Sequence, residues 1–288
     1  MDIGIGLPNA VPDTSGKELT GWARLADESG FSTLGTIGRL VYAGYDELIA
    51  LSAAAAVTER IRLTTSILLA PLRKNTALFA KQAASLDRVS GGRFVLGVAV
   101  GGRADDFAAS EVAEKGRGRR LDVQLDQMRQ IWRGEGLHGT DPIGPAPVRP
   151  GGPELIIGGQ SEASFRRAAR VGDGWMMGGG SPDMFTSAAA AVDKAWLDAG
   201  RSGRPRKLSL AYFALGPDAR AAADRYLAHY YAFIGPAASQ ISAGAAVSAD
   251  MVRSYAAAFE QAGCDELIFM PCSAEPEQVR LLADVIHG

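Results

Sequence analysis

The sequence contains little cysteine and little histidine, and it has no long apolar run. Its two cysteines, Cys264 and Cys272, cannot form a disulfide framework, and they do not form a CxxC pair. The three histidines are scattered over 288 residues, so we expect no metal site. No apolar run reaches the roughly 18 residues that a membrane-spanning helix requires, and we expect no membrane segment.

The sequence also has no large excess of positive or negative charge. With 30 Lys and Arg against 32 Asp and Glu, the formal net charge is −2 and the pI is about 6.0. Such a balance provides no basic surface for nucleic acid. The first residues, MDIGIGLPNA, lack the basic start and apolar core of a signal peptide. We therefore expect a cytoplasmic protein whose partner is a small molecule.

The chain alternates between short apolar segments and longer segments with helical periodicity. This alternation predicts βα units and hence a parallel sheet, and the near-continuous apolar character of the short segments indicates strands buried on both faces. Eight such units fit an α/β fold of the (β/α)8 TIM barrel type with parallel strands. The predicted strands span residues 2–7, 31–37, 62–70, 93–100, 154–158, 174–178, 207–215 and 265–271.

We predict one barrel domain over residues 1–288, with a Gly- and Pro-rich loop insertion at about 134–153. The alternative is an open doubly wound sheet, which needs a topological switch point. A GxGxxG motif after the first strand would favour that alternative, but the first strand runs into GLPNAV instead. The barrel is therefore the favoured architecture.

In such a barrel the functional site lies at the C-terminal ends of the strands. The predicted strand ends carry glycine, apolar and sulfur-containing residues with scattered arginines. They offer no lysine suited to a Schiff base and no carboxylate pair on neighbouring strands, which argues against a cofactor-free lyase or hydrolase. They favour a large planar cofactor that brings its own reactivity, for which the protein supplies binding and shape.

The segment LIIGGQS (155–161) joins the fifth predicted strand to a helix. Ser161 is suited to cap that helix, since a serine hydroxyl accepts a hydrogen bond from the first helical turn. The N–H groups of the same turn could hold a phosphate, with Gly158 and Gly159 allowing close approach. Taken alone, the residues favour a purely structural turn over a phosphate site, and both interpretations stay open.

Two long stretches resemble the bacterial-luciferase-like superfamily. They are residues 58–107, which include SGGRFVLGV (90–98), and residues 153–179, which include GDGW (172–175). The order and spacing of these motifs agree over roughly the whole chain. The resemblance implies a (β/α)8 barrel, usually dimeric, that binds reduced FMN or the deazaflavin coenzyme F420. It also implies an oxidoreductase, either a monooxygenase or a hydride-transferring dehydrogenase or reductase.

The resemblance further implies which residues hold the cofactor. Ser66 and Ile67 would form a bulge under the ring on the third strand, joined by a cis peptide bond, although such a bond costs about 3–4 kcal/mol. The resemblance also favours a phosphate site, over a purely structural turn, at residues 158–161 after the fifth strand. The residues predicted to bind the cofactor are Ser66, Ile67, Val100, Gly101, Gly102, Gly158, Gly159, Gln160, Ser161, Gly178 and Gly179.

Two departures from the family pattern bear on function. Many members carry a histidine just after the second strand, where this chain has Gly38 and Arg39, so the catalytic residue is unknown and Arg39 and Asn9 are the candidates. Bacterial luciferase has an arginine near the end of the fourth strand that contacts the FMN phosphate. Val100 takes that position here, with Arg103 as an alternative contact. An uncharged residue there slightly favours F420 over FMN.

Arg39, Arg73 and Lys74 would then contact the acidic tail of the deazaflavin, or else they are ordinary surface charges. We predict a homodimer that uses F420 or FMN for hydride transfer or for monooxygenation of a small organic substrate. Because the histidine is missing, a second function stays open, namely a flavin-binding barrel with little or no catalytic turnover.

Overall fold

Apolar strands and outer helices close into a parallel barrel in the computed structural model, which describes residues 1–288. The first strand pairs with the eighth, and the third pairs with the fourth, so the sheet has no free edge. The predicted (β/α)8 TIM barrel is confirmed. Its eight strands are Asp2–Gly6, Thr33–Thr36, Arg62–Thr65 continued by Leu68–Leu69, Phe94–Ala99, Glu154–Gly158, Gly174–Met177, Arg206–Phe213 and Glu266–Pro271.

Helices on the outside of the barrel connect the strands. Several begin at a polar side chain that satisfies N–H groups of the first turn; Asp46, for example, accepts hydrogen bonds from Leu48 and Ile49 at 3.0 and 3.1 Å. The helices are α1 (Gly16–Glu28), α2 (Glu47–Ala55), α3 (Thr76–Val89), α4 (Ala104–Ala109), α5 (Arg117–Trp132), α6 (Glu162–Val171), α7 (Pro182–Asp198), α8 (Ala219–Tyr230), α9 (Ala238–Ala243), α10 (Ala249–Gln261) and α11 (Glu277–His287).

The periodicity of residues 217–234 predicts one helix, but the α-helix in this segment is shorter. It ends with α8 at Tyr230 and is followed by a 3-10 segment, Ala232–Ala237, and then by α9. Gly235, with φ of 59°, and Pro236 kink the 3-10 segment, because neither continues a helix in that conformation. The kink turns the chain back over the C-terminal end of the barrel.

The third strand is interrupted at Ser66 and Ile67, but the peptide bond between them is trans. The predicted cis bond at this position is therefore wrong; the cis bond of the chain is Gly144–Pro145. Just before the interruption, the Thr65 side chain pairs with the fourth strand. Its hydroxyl donates to Gly97 O at 2.7 Å and accepts from Gly97 N–H at 2.8 Å.

The N-terminal ends of the strands are joined by a charged group that we call the basal cluster (Ser32, Arg62, Glu154, Arg206 and Glu266). Arg206 Nη1 donates to Glu154 Oε1 at 2.8 Å, and Nη2 donates to Glu266 Oε2. Arg62 Nη2 donates to Glu154 Oε2 at 3.0 Å, and the Ser32 hydroxyl donates to Glu266 Oε1 at 2.5 Å. Both carboxylates of the cluster are thus paired, and Glu266 is fully buried.

Large apolar side chains fill the space between the barrel and its helices, among them Trp22, Phe79, Trp175, Phe185 and Phe259. The loop predicted at 134–153 contains neither a strand nor an α-helix. None of the helices combines the length and the apolar character that crossing a bilayer would require.

Candidate functional site

A cavity of about 270 Å³ opens at the C-terminal ends of the strands, and we call it the main cavity. This volume is near the lower end of the roughly 300–1,000 Å³ typical of small-molecule sites. A larger groove of about 530 Å³ is bounded by α6 and α7, away from the strand ends. The main cavity is lined by Ile37, Gly38, Ser66, Ile67, Leu69, Gly101, Gly102, Arg103, Gly178, Leu210, Tyr212, Tyr230, Tyr231 and Phe233.

The interruption of the third strand supplies one wall of the main cavity. Ile67 extends toward the fifth strand, where a Cβ built on Gly158 would lie 2.3 Å from Ile67 Cδ1. Gly158 is therefore required to make room for Ile67. Ser66 and Ile67, which are predicted to bind the cofactor, line the cavity, whereas Gly158 does not.

Glycines keep other parts of the cavity wall open. Cβ atoms built on Gly102 and Gly178 would meet nothing within 4 Å, so a ligand can approach the backbone closely there. Gly101 has φ of 74°, a conformation that favours glycine. The predicted residues Gly101, Gly102 and Gly178 thus line one cavity, and their geometry fits a flat ligand held against backbone.

Arg103 places a positive charge beside this glycine wall. Its guanidinium carbon lies 4.5 Å from the ring centroid of Phe233 and 4.9 Å from that of Tyr230, which are cation–π distances. The groups that influence it electrostatically are tyrosines, and it forms no ion pair with a carboxylate. A half-buried cation without an acidic partner is suited to bind an anionic group of a ligand.

Tyrosines form the remaining polar part of the cavity wall. The hydroxyls of Tyr212 and Tyr231 share a hydrogen bond of 2.8 Å, and the rings of Tyr230 and Tyr231 pack edge to face at 5.1 Å. Burial raises the pKa of Tyr212, Tyr230 and Tyr231, so these phenols stay protonated at neutral pH. They can donate hydrogen bonds but cannot act as bases.

Arg39 joins the loop after the second strand to α4 and to the end of α8. Its Nη2 lies 2.5 Å from Asp105 Oδ2, and its Nη1 donates to Tyr230 O at 3.1 Å. Close by in the chain, Val41 N–H donates to Asp106 Oδ1 at 2.8 Å. The predicted catalytic candidate Arg39 is therefore engaged with a carboxylate, and it does not line the main cavity.

Asn9, the other candidate, is fully buried in a 3-10 turn, Pro8–Ala10, after the first strand. Its Nδ2 donates to Ile37 O at 2.7 Å and to Tyr45 O at 3.4 Å, while its Oδ1 has no partner within the protein. Asn9 is absent from the cavity lining. It positions the loop that follows the second strand.

The turn Gly158–Ser161 lies beside the main cavity but does not line it. Ser161 and Ser164 form a reciprocal capping box on α6, and Gln160 Nε2 donates to Gly179 O at 3.1 Å. Gly159, with φ of 125°, provides the sharp bend. The turn therefore supports the neighbouring loop that contains Gly178 and Gly179, and its predicted contact with a phosphate stays a prediction.

The other predicted cations are already paired with acids. Arg73 Nη2 lies 2.6 Å from Asp46 Oδ2, and Lys74 Nζ lies 2.8 Å from Glu111 Oε2. Val100 packs against the hydrophobic core and supplies no charge. Among the arginines considered from the sequence, Arg103 alone combines a place in the main cavity with the absence of an acidic partner.

A second cavity of about 200 Å³ adjoins the main cavity, and Gly38 and Leu69 line both. We call it the side cavity. Glu47, the first residue of α2, lines it and is 9% exposed. A Cβ built on Gly38 would lie 2.0 Å from Glu47 Oε1, so the carboxyl group occupies the space that a side chain at position 38 would fill.

Burial raises the pKa of the Glu47 carboxyl, and the guanidinium of Arg73, 3.3 Å away, only partly opposes this. Sequence patterns did not point to Glu47, because an acid in the first turn of a helix is ordinary. They also missed Tyr230, Tyr231 and Phe233 as cavity residues. The aromatic run YYAF (230–233) was a usable signal, but its place over the strand ends depends on the break at Gly235 and Pro236.

Two kinds of relative share sequence with this chain. The protein Rv0940c of Mycobacterium tuberculosis is 36% identical over 159 residues, which cover 52% of this chain and 54% of Rv0940c. The chain thus spans about half the length of that relative. An FMNH2-dependent dimethylsulfone monooxygenase of Pseudomonas putida is 28% identical over 259 residues, which cover 79% of this chain and 70% of the monooxygenase.

Solved structures share the fold. An F420-dependent secondary alcohol dehydrogenase superposes with a TM-score of 0.80 at 16% identity, covering 99% of this chain and 98% of its own. The monooxygenase RslO1 from Streptomyces bottropensis gives a TM-score of 0.77 at 22% identity, covering 100% and 99%. The family model described as luciferase-like monooxygenase matches residues 1–280. Since that match spans nearly the whole chain, the protein belongs to the luciferase-like monooxygenase family.

Proposed function

We propose that this protein is an oxidoreductase that binds a deazaflavin or flavin in the main cavity, with coenzyme F420 favoured over FMN. The substrate would be a small organic molecule that undergoes hydride transfer or monooxygenation. The observation that carries the proposal is Arg103, a cation without an acidic partner beside an open glycine wall. Relatives of both cofactor types support the cofactor class.

Different residues of the main cavity would contact different parts of the cofactor. The ring would lie between the Ser66–Ile67 wall and the backbone of Gly101, Gly102 and Gly178. Its anionic chain would leave past Arg103, where the positive charge has no competing carboxylate. We favour Arg103 over the turn Gly158–Ser161 as the phosphate contact, because the Ser161 hydroxyl already caps α6 and Glu162 adds a negative charge beside it.

We favour F420 over FMN because of Val100. This position has no charge and packs into the core, so an FMN phosphate would lack a cation there. A bound F420 or FMN would supply the redox chemistry, either by exchanging hydride or by activating oxygen. The protein would supply shape, a dry apolar wall and protonated phenols that orient polar groups of the ligand.

Anaerobic fluorescence titration of the pure protein with reduced F420 and with reduced FMN tests the proposal. We expect micromolar or tighter binding of at least one, with F420 bound more tightly. Binding of neither would refute it. Binding without turnover of any candidate substrate would instead favour a flavin-binding barrel that does not act as an enzyme.

We also propose a cytoplasmic homodimer. Ile49 on α2 and Leu78 on α3 are 65% and 51% exposed, and these two helices pack side by side, so apolar surface is available for a second copy. Sedimentation-velocity analysis of the pure protein tests this proposal. A monomer at micromolar concentration would contradict it.

A further inference from the structure

A further cavity, of about 460 Å³, lies beside α8 at the C-terminal end of the barrel, and we call it the outer cavity. It is bounded by residues 11–14 after the first strand, by α8 and by residues 272–275 after the eighth strand. It shares no lining residue with the main cavity, and its volume falls within the range typical of small-molecule sites. The outer cavity is therefore a candidate site for a second ligand.

The side chain of Tyr226 separates the outer cavity from the main cavity. Tyr226 lines the outer cavity, and its ring packs against those of Tyr212 and Tyr230, at centroid distances of 6.3 and 5.7 Å. Tyr212 and Tyr230 line the main cavity.

The Tyr226 hydroxyl has no hydrogen-bond partner within the protein, although the residue is only 5% exposed. Because the oxygen is not fully enclosed, the hydroxyl is accessible from the cavity that Tyr226 lines. Burial raises the pKa of Tyr226, so the phenol stays protonated at neutral pH. It therefore retains a hydrogen-bond donor for a ligand in the outer cavity.

Charged side chains of both signs line the outer cavity without pairing to each other. Arg225 on α8, Asp13 before α1 and Glu275 after the eighth strand are exposed, and none of these side chains forms an ion pair within the protein. At the side cavity, by contrast, Arg39 and Arg73 both have acidic partners. Opposite charges that line one cavity without contacting each other can be bridged by a ligand with complementary charges.

The other ionisable groups of the outer cavity already contact the protein or are neutral. The Glu18 carboxylate accepts a hydrogen bond from Ser15 N–H at 2.7 Å in the capping box of α1. His229 Nδ1 lies 2.9 Å from the Tyr42 hydroxyl. Burial raises the pKa of the Cys272 thiol, which stays neutral. Two carboxylates and one guanidinium are thus the charges that a ligand would meet.

We propose that the outer cavity binds a basic α-amino acid of the lysine type, which carries one carboxylate and two ammonium groups. The ligand carboxylate would pair with Arg225 and accept a hydrogen bond from the Tyr226 hydroxyl. The two ammonium groups would pair with Asp13 and Glu275. A diamine would leave Arg225 without a partner, and an amino acid with a neutral side chain would leave one of the two acids without one.

Isothermal titration calorimetry of the whole protein with L-lysine, cadaverine and L-norleucine tests this charge pattern. Cadaverine lacks the carboxylate of lysine, and norleucine lacks its side-chain ammonium group. We expect L-lysine to bind with a Kd of about 1 mM or tighter, and each analogue to bind at least about fivefold more weakly, since each loses one charged contact. Absence of lysine binding, or equal binding of lysine and either analogue, overturns the inference.

Arg225→Met tests the contact with the ligand carboxylate. We expect this variant to bind lysine at least about fivefold more weakly. Cadaverine should bind it as well as it binds the wild type or more tightly, because the diamine is no longer repelled by a cation. Arg24→Met is the matched control, since Arg24 is also an exposed helical arginine without an acidic partner but does not line the outer cavity. Equal lysine affinity in the two variants overturns the inference.

Asp13→Asn tests the acidic side with little effect on folding. Asp13 has φ of 62°, a left-handed conformation that asparagine also tolerates. We expect weaker lysine binding at an unchanged melting temperature, whereas Gly178→Val in the main cavity should leave the lysine affinity unchanged. Loss of lysine binding in Gly178→Val but not in Asp13→Asn would assign the ligand to the main cavity and overturn the inference.

The inference does not depend on the proposed function, because all of these titrations are carried out without a deazaflavin or flavin. If the protein binds lysine but neither cofactor, the proposed function fails and the outer cavity remains a ligand site. If it binds a cofactor but not lysine, this inference fails and the proposed function survives.

Discussion

The two ends of the barrel use charged residues differently. At the N-terminal ends of the strands, Arg206 joins Glu154 and Glu266, and each carboxylate of the basal cluster has a partner. At the C-terminal ends, Arg103 has no acidic partner and Glu47 has an incomplete one. The basal cluster thus stabilises the fold, whereas the rim of the cavities retains capacity to bind other groups.

The charged buried atoms without a partner lie beyond strand ends, whereas uncharged ones such as Thr33 Oγ1, at the start of the second strand, and Trp22 Nε1, on α1, do not. The charged side-chain atoms that are buried without a partner within the protein are Arg39 Nε, Asp106 Oδ2 and Arg220 Nε. All three follow the C-terminal end of a strand. An unsatisfied buried polar group costs about 1–3 kcal/mol, and such departures from good packing concentrate at functional sites. The contrast in charge pairing supports the proposal that ligands bind at the C-terminal ends of the strands.

Arg206→Met should have the largest effect on folding. It leaves Glu154 and the fully buried Glu266 without their shared cation, which destabilises the folded state by about 3–5 kcal/mol. Chemical denaturation measures the loss. Arg204→Met is the control, since the Arg204 side chain is 69% exposed and its pair with Asp265 contributes about 1 kcal/mol or less. Equal effects of the two variants would mean that the basal cluster has no special role.

Arg103→Met should affect cofactor binding strongly and folding little, the reverse of what we expect for Arg206→Met. It removes a charge-assisted contact to the anionic part of the cofactor, which corresponds to roughly 10- to 100-fold weaker binding. Methionine retains most of the apolar contact with Phe233 and Tyr230, so the free energy of unfolding should change little. Fluorescence titration and denaturation measure the two effects. Arg119→Met, at an exposed residue of α5, controls for the loss of one charge.

Gly178→Val should weaken cofactor binding by about tenfold or more, equivalent to about 1.4 kcal/mol, by filling the open space beside the backbone. Folding should be little affected, because a Cβ there meets no protein atom within 4 Å. Gly16→Val is the matched control, as Gly16 has equally open surroundings at the start of α1. A melting temperature that falls more for Gly178→Val than for Gly16→Val would contradict this prediction.

Gly159→Val is a poorer test of whether a glycine contacts the cofactor. Its φ of 125° strains any side chain, so the substitution lowers stability whether or not a phosphate binds at the turn. A loss of both binding and stability would therefore not distinguish a cofactor contact from a structural bend.

Glu18→Ala should have the smallest effect. The hydroxyl and the N–H of Ser15 hydrogen-bond the Glu18 carboxylate and lower its pKa. Because the folded pKa lies below the unfolded value, the stabilisation is present above about pH 4.3 and disappears as the pH falls through the folded pKa. Thermal unfolding from neutral to acidic pH measures the gap between variant and wild type. A gap that widens on acidification would contradict the assignment.

The fold was largely predictable because each βα unit carries its own local signals. Apolar strands and helical periodicity identify eight units, and their alternation restricts the topology to few choices. The departures are local and have physical causes. The peptide bond at the interruption of the third strand is trans, and α8 ends at Tyr230, before the kink at Gly235 and Pro236.

The candidate site was predictable only in part. Glycines at strand ends can be read from the sequence, and Gly101, Gly102 and Gly178 do line the main cavity. The pairing of charges cannot be read in this way, because it depends on contacts between distant segments. Arg39 meets Asp105 across 66 residues, which removes it as a free cation, whereas no such partner exists for Arg103.

A pair of isosteric substitutions tests the contrast between the two ends most directly. Glu266→Gln weakens the pairing of the basal cluster and should destabilise the protein by about 1.5–3 kcal/mol. Glu47→Gln should act in the opposite direction at about pH 8. Burial raises the folded pKa of Glu47, so ionisation of this acid destabilises the folded state above the unfolded pKa of about 4.3, and glutamine removes that penalty.

The measurement is the free energy of unfolding of both variants and the wild type at about pH 8 and again near pH 4. The account predicts a loss for Glu266→Gln and a gain for Glu47→Gln at the higher pH, with the gain shrinking at the lower pH. Two losses of similar size at the higher pH would contradict the claim that one end of the barrel is built for stability and the other for function.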